Sequence, residues 1–307
     1  MTDKRSIGIF VTLISCLIWG FSFVSSKALL DYMTPTIMAF LRYAIATVFL
    51  FIILKITKVK EGIKPKHILK IAVSGTLGIT FYFYLAIVAL RSISVSMVGL
   101  FNGAIPILTL AVEVIFLGKQ VTKRILFAFL LSASGIFMTV MESNTLMMGN
   151  SWIGYVFMVL AIMSWIAYTF ITPQLLKEYS SINVLFYQTL FATISLFPFA
   201  AIGIHNISNF WEIVCLNNVI GNLLFLGIFC SAISYYLYVV GLDFLGSSTT
   251  AIFMNFIPMV SMIGAYFILD EAITPIKFIG LCVVIASIIL VNFDGSKKWE
   301  KAKKKLV

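Results

Sequence analysis

Charge is scarce in this chain: only 11% of its residues are Asp, Glu, Lys or Arg, against 61% hydrophobic, at a mean hydropathy of +1.06. A water-soluble fold of 307 residues cannot cover its surface from so small a stock, so the composition excludes one and makes the bilayer the solvent. Histidine is scarcer still. His67 and His205 are the only two, both in loops or at helix ends and too far apart to form a motif, so a surface role is expected of each. No HExxH helix occurs, no Ser or Cys has a plausible His partner within an apolar run, and no paired acids stand at matching depth, so nothing supports an intramembrane enzyme. The four cysteines, Cys16, Cys215, Cys230 and Cys282, show no CxxC spacing and three lie inside apolar runs. That pattern suggests neither a disulfide framework nor a zinc site, and neither metal nor cofactor is expected.

What the chain does have is long apolar runs. A transmembrane helix needs about 20 such residues to cross about 30 Å of hydrocarbon at about 1.5 Å per residue. Ten runs meet that length, at 6–26, 35–55, 68–89, 93–116, 123–141, 152–173, 182–203, 217–240, 247–269 and 275–293. Membrane β-barrels show weak alternating segments of about ten residues instead, so the fold expected is an all-α integral membrane protein.

The basic residues orient it, because cytoplasmic loops retain Lys and Arg. With ten helices both termini share one side, and 18 of the 22 basic residues fall there, Lys297 to Lys305 among them. Lys27, Arg91 and Lys277 fall on the other side, and Arg42 inside a span. Both termini are therefore expected to be cytoplasmic. The net charge of +10 follows from loops and a tail set against an anionic inner leaflet and calls for no nucleic acid. The first run follows a short basic stretch but is longer than a signal core and shows no small-residue cleavage pattern before Lys27, so it is expected to be retained.

The chain also repeats itself. An offset of 146 residues lays Ile7-Gly8 on Ile153-Gly154, Trp19 on Trp165 and Phe40 on Phe186. An offset of 152 lays Leu90 on Leu242, Ser96 on Ser248, Ile105-Pro106 on Ile257-Pro258 and Thr122 on Thr274. Trp on Trp and Pro on Pro carry the weight, since Leu on Leu is common by chance. Residues 1–146 and 147–294 then form two five-helix repeats, with 295–307 a basic cytoplasmic tail. Five is odd, so the second repeat enters from the opposite side and runs inverted, the geometry suited to alternating access.

Several segments resemble the EamA-type permeases of the drug/metabolite transporter superfamily, over nearly the whole chain. They are Trp19-Gly20-Phe21-Ser22-Phe23 with Lys27 beyond it, Pro35 opening the second helix, Phe40-Leu41-Arg42, Tyr84-Leu85-Ala86, Pro106, Leu117-Gly118-Lys119, Gly241-Leu242, Pro258 and Leu269-Asp270-Glu271. Glu271 matches the acid that family members often carry after this helix, and Lys119 departs from it in the first half. The resemblance implies a basket-like helical carrier with a central cavity, moving amino acids, amines, nucleosides or related metabolites, most often outward, across a bacterial plasma membrane.

Polar groups inside hydrocarbon point to the same cavity. Pro106 and Pro258, read as lying in mid-helix, each remove a helical hydrogen bond, and Asn102 and Asn255 stand beside them. Trp19 and Trp165 lie in mid-span although tryptophan favours the interfaces, so a polar acceptor is expected for each indole N–H. With Phe23, Tyr82, Tyr84, Tyr168, Tyr235, Tyr236 and Tyr238 they supply aromatic walls with hydroxyl tips, suited to an amphipathic solute. Lys27, Arg42, Glu113 and Glu271 are candidates for coupling or gating, Lys27 and Glu113 being expected to reach toward the headgroups. The reading is a transporter for a small metabolite, first an amino acid or its derivative. The alternatives are an amine, nucleoside or drug-like solute, or a channel or scramblase. Membrane lipid is the other expected partner, and the sequence leaves the oligomeric state open while being compatible with a monomer.

Overall fold

The structure, a computed structural model, describes residues 2–57, 62–117, 123–142, 151–205, 209–246, 250, 253–254, 256–287 and 290. Regular structure among the described residues is entirely helical. The helices are α1 (Thr2–Leu29), α2 (Pro35–Ile56), α3 (Pro65–Ala89), α4 (Val95–Asn102), α5 (Ile105–Leu117) and α6 (Lys123–Glu142) in the first half of the chain. The second half holds α7 (Ser151–Leu175), α8 (Ser181–His205), the short α9 (Phe210–Val214), α10 (Asn217–Leu245), α11 (Phe256–Leu269) and α12 (Pro275–Ser287).

Among the described residues, six helices are long and apolar enough to cross a membrane: α1, α2, α3, α7, α8 and α10. Their outer faces carry large apolar side chains such as Phe10, Leu69, Phe199 and Ile202, which hydrocarbon solvates at no cost. Local chemistry sets the helix starts. Thr34 caps α2 by accepting from the Ile37 amide, with Pro35 in the first turn where its missing N–H goes unneeded. Ser94 caps α4 in the same way through the Met97 amide at 3.2 Å.

The prolines read as mid-helix kinks stand elsewhere. The fourth apolar run is two helices, α4 and α5, separated by Gly103 and Ala104, and Pro106 is the second residue of α5. Pro258 is likewise in the first turn of α11. Each follows a break in the helix and bends none, because a proline is tolerated in a first turn and costly further in. The two breaks meet: a methyl group placed on Gly103 would lie 3.3 Å from the Pro258 ring.

The offsets of 146 and 152 map α1 onto α7 and α3 onto α10, and packing follows the map: α1 lies against α10 and α7 against α3. Both α3 and α10 contain a π-helical stretch, Thr76–Phe81 and Phe225–Ile233, in overlapping positions of that map. Widened turns of this kind leave carbonyls turned away from their own helix and mark functional regions. At Gly78, inside the first stretch, the neighbouring helix comes so close that a Cβ would fall 2.2 Å from the Tyr168 ring. Small residues at helix contacts permit such approach in membranes, where packing must replace the hydrophobic effect between helices.

Candidate functional site

Between α1, α3, α7 and α10 the rings of Trp19, Tyr82, Trp165, Tyr168, Tyr235 and Tyr238 form one group, none more than 3% exposed. Trp165 and Tyr168, like Tyr235 and Tyr238, are three residues apart and so share a helix face. Trp19 meets Trp165 edge-on at 5.4 Å and Tyr235 at 5.3 Å, and Tyr82 lies 4.7 Å from Trp165. These are the offset and T-shaped arrangements that ring quadrupoles favour. The rings close the centre of the bundle against one another, as a packed aromatic chamber.

The π-helical stretches serve this group. The Trp19 indole donates to the Cys230 carbonyl at 2.8 Å, and the Tyr235 hydroxyl to the Gly78 carbonyl at 2.6 Å, each acceptor lying in a widened turn. Asn102, at the last turn of α4, accepts from the Tyr82 hydroxyl at 2.6 Å and donates to the Val98 carbonyl at 2.8 Å. The polar group expected beside the Trp165 indole N–H is the Tyr238 hydroxyl, which faces it outside ideal hydrogen-bond geometry. The Tyr43 and Tyr168 hydroxyls likewise face the Ser231 and Thr172 side chains outside ideal geometry, and the Ser234 hydroxyl is buried without a partner.

Arg42 adjoins the chamber and is fully buried. Its Nε donates to the Ser231 hydroxyl and its Nη1 to the Ser22 hydroxyl at 3.4 Å, while Nη2 has no partner. The guanidinium lies 4.2 Å over the Phe83 ring, itself 4.7 Å from Tyr82. Phe23 is buried one turn along α1 from Trp19. Tyr84 and Tyr236 are outside the group, half-buried and exposed respectively, because they sit on the far sides of α3 and α10. Asn255 and the side chain of Glu113 lie outside the described residues, as do Lys119 and the tail from 291 onward.

At one end of the bundle, Lys27, Asp31, Arg91, Leu269 and Glu271 line a cavity of about 430 Å³. Lys27 does not reach away from the protein as expected: its Nζ donates to the Leu90 carbonyl at 2.5 Å, where the last carbonyls of α3 want a cation. Glu271 binds the start of α4, its carboxylate accepting from the Val95 amide at 2.9 Å, the Ser96 amide at 3.2 Å and the Ser96 hydroxyl at 2.8 Å. A carboxylate on a helix N-terminus gains from both the free amides and the helix dipole.

At the other end the start of α3 is tied to the end of α7. Lys64 pairs with Glu178 at 2.8 Å, Lys70 with the Gln174 amide oxygen at 2.5 Å, and His67, expected to serve only the surface, shares a 2.8 Å hydrogen bond with the Tyr179 hydroxyl. The hydrogen bond from Lys64, aided by His67, holds the Glu178 carboxyl below its usual range, and Glu178 holds Lys64 above its own. A lowered carboxyl adds stability above its unfolded pKa and loses it as pH falls through the folded one. Glu178→Gln is therefore expected to flatten the acid limb of a thermal-midpoint profile below about pH 5 and leave neutral stability little changed, the pair being exposed.

Sequence reasoning reached the aromatic group through the Trp19–Trp165 offset but missed what surrounds Arg42. The signal was available: the same offset puts Gln188 opposite Arg42, and Gln188 is also fully buried, bound to the hydroxyls of Ser74 at 2.8 Å and Thr172 at 3.1 Å.

The model of the EamA-like transporter family matches residues 6–141 and again 152–293. An uncharacterized transporter of Archaeoglobus fulgidus is 25% identical over 273 residues, 89% of this chain and 94% of that one. The uncharacterized inner membrane transporter YhbE of Escherichia coli K12 is 26% identical over 70% of this chain and 69% of its own. The uncharacterized transporter YyaM of Bacillus subtilis is 25% identical over 93% of both. A solved crystal structure shares the fold at a TM-score of 0.68 and 14% identity, over 92% of this chain and 97% of that one.

Proposed function

The chain belongs to the EamA-like transporter family, as a multi-pass membrane transporter, and from that premise we propose that it exports a small metabolite, first an amino acid or its derivative, by alternating access. The observation that carries this reading is the closed aromatic chamber with its buried hydroxyl and indole tips, placed where helices of both halves of the chain meet. A closed centre with a separate tie at each end is what an alternating carrier needs in its occluded state, since each tie can open without the other. The matching π-helical stretches, the paired helix breaks and the double family match support two inverted five-helix repeats, 1–146 and 147–294. In that arrangement both termini and the 295–307 tail are cytoplasmic, beside anionic lipid of the plasma membrane, and the Glu271 end faces outward. The reading needs no second copy of the chain and no chemistry on the solute.

Counterflow tests this. Proteoliposomes loaded with an unlabelled amino-acid mixture should accumulate each labelled transported member transiently, with saturation as the external concentration rises. Linear flux without counterflow would mean a pore or scramblase and would overturn the carrier reading.

A further inference from the structure

Arg42 is a charge the fold does not explain. A guanidinium stays protonated under any condition a protein survives, and burying it without a counter-ion is costly. Among the described residues the only ion pairs are those of Glu178 with Lys64 and His67, so no described carboxylate answers Arg42. Two serine hydroxyls and the Phe83 face take part of the charge, and Nη2 is left over.

The related half of the chain shows that structure alone does not need the charge. Gln188, at the position corresponding to Arg42, joins neighbouring helices through the Ser74 and Thr172 hydroxyls just as Arg42 does through Ser22 and Ser231, and it does so uncharged. Each also has one unpartnered arm, Oε1 in Gln188 and Nη2 in Arg42, so what arginine adds over glutamine is a positive, donating fork in place of an acceptor, beside the aromatic chamber. Such a fork matches a carboxylate by shape as well as by charge. We infer that Arg42 is the carboxylate-binding subsite of the chamber, and that the transported class is small solutes bearing a carboxylate, zwitterionic or anionic, with an apolar or aromatic body. A carboxylate on Nη2 would direct that body toward Tyr82 and Tyr235, the rings joined to Phe83 at 4.7 and 6.0 Å, which must part to admit it. Amines without an acid group meet the uncompensated cation and are disfavoured. The inference rests on the chamber being the transport site.

The test is the thermal midpoint of the purified full chain with phenylalanine, leucine and 3-phenylpropionate, set against phenethylamine, phenylalaninamide and phenylalanine methyl ester. The acids are expected to raise the midpoint and the other three to leave it unmoved. In Arg42→Gln, which reproduces the uncharged tie of Gln188, the protein is expected to melt no lower than the parent while affinity for the acids falls about 10- to 100-fold, the range for a lost hydrogen bond to a charged group. The inference is overturned if no acid shifts the parent, if amines or esters shift it as strongly, or if Arg42→Gln keeps the full response. Should the variant fail to fold, the comparison of acids with amines on the parent still decides. Amines that undergo counterflow while acids do not bind would leave the transporter reading intact and remove this one. Acids that bind through Arg42 without counterflow would do the reverse.

Discussion

Gly78→Val is expected to abolish most of the well-folded protein. A Cβ there would stand 2.2 Å from the Tyr168 ring, and the same residue's carbonyl receives the Tyr235 hydroxyl, so the added methyls push on two walls of the chamber at once. Overpacking a filled core costs about 1–3 kcal/mol, and the lost Tyr235 hydrogen bond adds about 1 kcal/mol more. Gly221→Ala is the control, because nothing lies within 4 Å of its Cβ position. Alanine there is expected to hold or raise stability, by up to about 1 kcal/mol, as in any open helix. Monodisperse yield and thermal midpoint in detergent report both. Equal behaviour of the two variants would mean that α3 and α7 do not pack as described.

Glu271→Ala is expected to cost about 2–4 kcal/mol, since it strips acceptors from two amides and a hydroxyl at the start of α4 and leaves them in a partly buried site. Glu271→Gln keeps one good acceptor and loses the charge, so it should fall between. The tie joins the loop after α11 to α4, elements from opposite halves of the chain, and the offset of 152 places Lys119 where a matching acid would stand. An acid caps a helix start and a lysine does not, so the sequence provides this acid-on-helix tie at one end only, the other end being held by the Lys64–Glu178 and His67–Tyr179 contacts. Breaking it should bias the transporter open at that end. An unchanged midpoint in Glu271→Ala would show that the carboxylate is not seated on the helix.

The α2 start at Pro35 and the pairing of Trp19 with Trp165 were legible because each rests on a residue with few alternatives: a proline opening a helix, or two tryptophans at one offset. The sides of α3 and α10 were not legible. Helices apolar all round carry little facial signal, so Tyr84 and Tyr236 read the same as Tyr82 and Tyr235 until neighbours were placed. Pro106 and Pro258 marked an irregularity correctly, but sequence does not distinguish a bent helix from two helices in succession, since both place a proline amid apolar residues. Lys27 was misjudged for a similar reason. A long side chain near a helix end reaches headgroups or a neighbouring carbonyl with equal ease, and only the position of Leu90 decides. The π-helical stretches left no local trace beyond small residues such as Gly78 and Gly227.

The most direct test of alternating access is labelling of Phe23→Cys from each side of the membrane. Phe23 is 3% exposed, between the Trp19 ring and the Lys27 end of α1, and the exposed Cys215 and Cys282 would first be changed to Ser. A membrane-impermeant maleimide would be applied to whole cells and to inside-out vesicles, with and without Glu271→Ala. The account predicts that breaking the Glu271 tie raises labelling from outside and lowers it from inside. Labelling that rises from both faces together would describe a pore, and would contradict a carrier whose two ends open in turn.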